Sequence, residues 1–230
     1  MTPFQLILTL HVSAGFTALS LFFVPMFARK GGRVHNRVGW WYTYAMWVVI
    51  VTAVVLSVFR GVAGQLTPAL FFSFLAILTG RPLYFALAVL KHKRGVSPGL
   101  LRWNIGLAVF TGLAAGGLLT VGLGWWLLPD GEPLLLAFGI VGLVAAITGL
   151  NDLRSLRRDP RTWISHHIGG MLVSAIAAFT AFFAFGGRQF FGEVFTGNWQ
   201  LVPWIAPTIL GTAAISYYKR VWTVKRRFRS

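Results

Sequence analysis

The chain contains no cysteine, which excludes disulfides, iron–sulfur clusters and thiolate metal ligands and leaves any metal to imidazole, carboxylate or thioether donors. Acids are nearly as scarce: 5 Asp and Glu stand against 21 Lys and Arg in 230 residues, and charged residues make up only 11% of the chain. Paired carboxylates for hydrolysis are therefore missing. So are a His-Glu-x-x-His zinc motif, a Gly-x-Ser-x-Gly elbow and a phosphate-binding glycine loop. Carriers that pass protons through intramembrane acids are disfavoured for the same reason. Asp152 is the one acid near an apolar segment, and it is expected to pair with its neighbours Arg154 and Arg157.

Apolar residues dominate what is present. The chain is 56% hydrophobic and 15% aromatic, with a mean hydropathy of +0.70, values that do not fit a soluble domain. A membrane-spanning helix needs about 20 apolar residues, and seven such stretches are read at Pro3–Phe27, Trp40–Phe59, Leu66–Leu90, Leu101–Leu128, Pro133–Leu153, Ile164–Phe185 and Pro203–Val224. The expected fold is an all-α integral membrane bundle of seven transmembrane helices, with residues 1–230 forming a single domain. The first stretch has no basic residue before it and is expected to be a retained span rather than a cleaved signal peptide.

The formal net charge of +16 invites a nucleic-acid reading, but its distribution points to topology instead. Eighteen of the 21 basic residues fall in the first, third and fifth joints and the tail: Arg29 to Arg37, Lys91 to Arg102, Arg154 to Arg161 and Lys219 to Arg229. The alternate joints hold Arg60 and Arg188 with Asp130, Glu132 and Glu193. By the positive-inside rule the amino terminus is outside and the carboxyl terminus cytoplasmic. Tryptophans follow the same layout, with Trp40, Trp41, Trp103, Trp163 and Trp222 at the basic ends and Trp125, Trp126, Trp199 and Trp204 at the others. The expected location is the cytoplasmic (inner) membrane of a bacterium, with no nucleic-acid partner.

Small residues recur every fourth position in two segments, Ala108, Gly112, Gly116, Thr120 and Gly124 in the fourth and Gly170, Ser174 and Ala178 in the sixth. Such stripes let helix backbones approach closely, either within the chain or across a homodimer seam. His35-x-x-x-Gly39 and His166-x-x-x-Gly170 each follow an Arg-rich joint, a faint echo that would relate segments one to three to segments five to seven.

Histidine is the residue left to carry metal chemistry. His92 sits in a basic joint and reads as a solvated loop residue. His11 lies within the first span, where an imidazole must face the interior and find a partner. His35, His166 and His167 enter from the basic face on segments two and six, so one imidazole from each could ligate haem iron or another metal. His166 and His167 are offset by about 100° around their helix and cannot point the same way. Against this stands the plainer reading that all three cap helix starts or meet headgroups. Met26, Met46 and Met171 are further soft-ligand candidates. Arg81 falls within segment three without an acid read at its depth, so it is expected to meet backbone freed by Pro82, an anionic or quinone-like ligand, or a haem propionate.

Three stretches taken together, namely His11, the joint Arg29-Lys30-Gly31-Gly32-Arg33-Val34-His35-Asn36-Arg37-Val38-Gly39 leading to Tyr42 and Met46, and His167-Ile168-Gly169-Gly170-Met171 followed by Ala177-Ala178-Phe179-Thr180-Ala181-Phe182, resemble a bacterial family of uncharacterised multi-pass membrane proteins, a domain of unknown function. The resemblance spans most of the chain and implies that His167, rather than His166, is the family-like histidine. Asn36 stands where the family pattern leads one to expect arginine. The family brings no activity.

Two readings of function follow. In the first, the protein holds a b-type haem or another His-ligated metal through His35 with His167 or His166, with His11 and Arg81 lining a quinone or other hydrophobic-ligand site, and works in electron transfer. In the second, it is a non-catalytic bundle binding lipid or a membrane partner, or a small carrier, with these residues structural.

Overall fold

The computed structural model describes residues 1–186 and 202–227, and every regular element among them is helical. Arg188, Glu193, Trp199 and Arg229 lie outside the described residues. In chain order the helices are α1 (Pro3–Phe27), α2 (Arg33–Val62), α3 (Leu66–Ala88) with a 3-10 turn at Val89–Lys91, α4 (Pro98–Gly122), α5 (Pro133–Arg158), a 3-10 turn at Pro160–Thr162, α6 (Trp163–Ala181) running into a π turn at Phe182–Gly186, and α7 (Val202–Arg227). Six of them, α1 to α6 with their short extensions, are long and apolar enough to cross a membrane. The expected seventh segment coincides with a helix, α7, which is not among those six.

Several boundaries differ from the sequence reading, two of them beside a glycine of positive φ. α2 begins at Arg33, not Trp40, because nothing in Arg33-Val34-His35-Asn36-Arg37 breaks a helix, whereas Gly31 just before it has φ +74°, a backbone state that glycine adopts without strain. His35 therefore rides on the first turn of a helix. α4 ends at Gly122 instead of Leu128, where Gly124 turns the chain at φ +78°.

The helices pack as two hairpins on a central pair. α1 with α2 and α4 with α5 make the most extensive contacts, α3 packs on α6 and α2, and α7 lies against α6. α5 packs on α4 far more than on α6, so the echo between the two halves is not reproduced in the packing. The small-residue stripe of α6 is used as expected: a Cβ on Gly170 would overlap the Pro82 carbonyl oxygen, and Ser174 is fully buried. The stripe of α4 is used only in part, since Ala108 is buried but Gly116 faces open space, and the close approach to α5 runs instead through Gly122, Gly139 and Gly142.

The polarity of the bundle is that of a membrane protein. Large apolar residues such as Leu6, Val51, Leu113, Ile147 and Leu210 are exposed, while Thr43, Thr52, Ser57, Thr79, Asn104 and Thr111 are buried. Each of these buried groups donates to a backbone carbonyl one turn earlier in its own helix, so each has a partner that an apolar medium would not supply.

Candidate functional site

The functional geometry begins at two helix C-termini. The last four carbonyls of any α-helix lack an intrahelical donor, and in α1 these include Pro25 and Met26, in α3 Ala86. His35, carried by α2, donates from Nδ1 to the Pro25 carbonyl at 3.0 Å. His167, carried by α6, donates from Nδ1 to the Ala86 carbonyl at 2.9 Å. Because a carbonyl only accepts, Nδ1 is protonated in each ring, and the neutral imidazole then keeps its lone pair on Nε2, which has no hydrogen-bond partner among the described residues in either ring. This is the arrangement in which imidazole binds metals, with the second nitrogen oriented by a backbone carbonyl.

Both histidines line one cavity of about 380 Å³, within the range of small-molecule sites. Its walls come from the end of α1, the start of α2, the end of α3, the start of α6 and Tyr218 of α7, with Phe22, Trp40, Leu87, Ile168 and Met171 giving it an apolar body. His167 lies within electrostatic reach of His35, Lys30 and Lys93, and His35 within reach of Lys30. Gly170 makes this possible: lacking a Cβ, it admits the Pro82 carbonyl and brings the end of α3 onto α6.

Lys30 and Lys93 belong to the same cavity, a role the sequence reading did not assign them. Lys30 donates to the Pro25 carbonyl at 2.7 Å and to the Met26 carbonyl, and its ammonium lies 5.2 Å from the Tyr218 ring centroid. Cations favour helix C-termini because the macrodipole is negative there. Burial holds the Lys30 ammonium below the usual lysine pKa. Lys93 sits 4.7 Å from the Trp163 ring centroid. The signal that could have found Lys30 is its position three residues beyond a span that ends in carbonyls; nothing in the spacing of Lys93 marks it.

The other candidates lie elsewhere. His11 donates from Nδ1 to Thr52 Oγ1 at 2.9 Å, the threonine hydroxyl proton being committed to the Val48 carbonyl at 2.6 Å. It thus ties α1 to α2 away from the cavity. His166 is buried, with neither ring nitrogen hydrogen-bonded among the described residues, its Nδ1 3.4 Å from Asp152 Oδ1 and its ring centroid 5.7 Å from that of Phe85. Asp152 accordingly faces His166, while Arg154 donates to Asn151. Arg81 donates to the Ala145 carbonyl of α5 at 2.8 Å and lies where a side chain on Gly149 would be, within reach of the Asp152 charge. Its partners are α5 backbone and an acid one turn away, not Pro82 and not the cavity. Met26 and Met171 line the cavity, whereas Met46 is fully buried in the packed core.

The donor set can be compared with what metals require. No group of three or more His, Asp or Glu side chains able to hold a metal ion occurs among the described residues, short of the three or four protein ligands of a zinc site. Two imidazole nitrogens would suit instead a group that brings most of its own iron ligands, as a porphyrin does. No family model, no curated protein and no solved structure matches the chain.

Proposed function

We propose that the protein is a membrane haem protein of the electron-transfer class, with His35 and His167 holding the iron at the cytoplasmic end of the bundle. The observation that carries the reading is the pair of Nδ1-anchored histidines, each with a free Nε2, on the wall of one cavity. Bound there, the cofactor would supply one-electron chemistry. The chain's own part is to fix both rings against helix-end carbonyls, to surround the ligand with apolar side chains and to place two ammonium groups at its edge. The reading carries with it seven spans, an outer amino terminus, a cytoplasmic carboxyl terminus, a bacterial inner membrane and kinship with the uncharacterised family whose motifs it shares. A quinone could serve as electron partner and a homodimer as assembly.

A lipid-binding bundle is the second reading, favoured by the apolar body and basic rim of the same cavity. Absorbance of the detergent-purified protein, oxidised and dithionite-reduced, after expression with haem supplementation, decides between them. A Soret band that shifts on reduction is expected. A colourless protein overturns the haem reading and leaves the lipid one.

A further inference from the structure

We infer that Lys30 and Lys93 seat the two carboxylates of the ligand, so that the cavity selects a planar dianionic tetrapyrrole over a neutral lipid or quinone. The inference rests on the haem reading but is carried by different residues. Lys30 spends two of its three N–H bonds on neutral carbonyls and faces an aromatic ring, and Lys93 lies over the indole of Trp163. These contacts orient the ammonium groups without neutralising them. Among the described residues no Asp or Glu lines the cavity. Lys30 is half-buried and Lys93 is exposed at the rim, so two carboxylates on an apolar ring would meet both ammonium groups while the ring fills the apolar body of the cavity. The lysines come from different joints, Lys30 between α1 and α2 and Lys93 between α3 and α4, so a bound dianion would also tie the two joints together.

The test uses the full-length protein in nanodiscs and reads quenching of its tryptophans, Trp40 and Trp163 among them lining the cavity, by three probes: haemin, iron-free protoporphyrin IX and haemin dimethyl ester. Lys30→Gln and Lys93→Gln should each weaken haemin and protoporphyrin IX by about 10-fold, the scale of a lost charge-assisted hydrogen bond, and leave the ester unchanged. Lys30→Arg, which keeps the charge, should retain most of the binding. His35→Ala should do the reverse, weakening haemin and its ester but not protoporphyrin IX. Unchanged protoporphyrin IX binding in both glutamine variants overturns the lysine seats while leaving the iron ligands standing. Equal weakening of the ester shows that the lysines only hold the fold, which also overturns it. If porphyrin binding is seen in phosphatidylcholine but abolished in phosphatidylglycerol, the lysines hold a lipid phosphate and the inference fails.

Discussion

At the scale of single residues, the decisive distinction is between neighbours. His166 and His167 are adjacent, yet one faces Asp152 across 3.4 Å and the other a cavity. The helical offset made it legible that they diverge. Which of them turns toward His35 was not legible from spacing, because it depends on where the end of α3 lies against α6; the family resemblance alone favoured His167. His11 shows the opposite case, an intramembrane histidine whose need for a partner was evident and whose partner, Thr52, is a hydroxyl on the neighbouring helix. Replacing His11 by Ala should remove one interhelical hydrogen bond, worth roughly 0.6–1.7 kcal/mol in a membrane. The thermal unfolding midpoint in detergent should fall slightly with haemin binding unchanged, and a loss of haemin binding would place His11 in the site after all.

At the scale of elements, glycines decide which helices meet. Arg81 reaches the Ala145 carbonyl because Gly149 leaves room for its guanidinium. Gly149→Ala should therefore expel it and cost about 1–3 kcal/mol by overpacking. In combination with Arg81→Leu the two changes should be strongly non-additive in thermal unfolding, since they act on one contact; additive losses would show that the contact does not matter. Gly170→Leu should force α3 from α6, strip His167 of the Ala86 carbonyl and weaken haemin binding, whereas Gly116→Leu, facing open space, should not. The helices themselves were largely readable from apolar runs, but the start of α2 was not. Hydrophobicity marks where a helix enters the apolar phase, whereas helix formation requires only the absence of a breaker, and here the breaker is Gly31. Likewise, fourfold spacing identified the stripe on α4, yet the contact with α5 is set by Gly122 outside that stripe and by Gly139 and Gly142 of α5, which a single helix cannot reveal.

At the scale of the molecule, charge and hydropathy delimit the bundle without locating its cavity. The walls come from five helices, and only their packing brings the ends of α1 and α3 beside the starts of α2 and α6. The absence of cysteine makes orientation directly testable. Single cysteines at Gln5 and Asp130 should react with a membrane-impermeant maleimide added to whole cells, and one at Gly95 should react only after lysis. The reverse pattern would invert the topology and put the cavity on the outer face.

The most direct test of the central claim is a haemin titration of the wild-type protein beside His35→Ala, His167→Ala and His166→Ala, followed by the Soret absorbance. The account predicts that the first two variants lose the low-spin spectrum and that His166→Ala, one position from His167, retains it. Loss with His166→Ala and retention with His167→Ala would contradict it, as would a spectrum indifferent to all three.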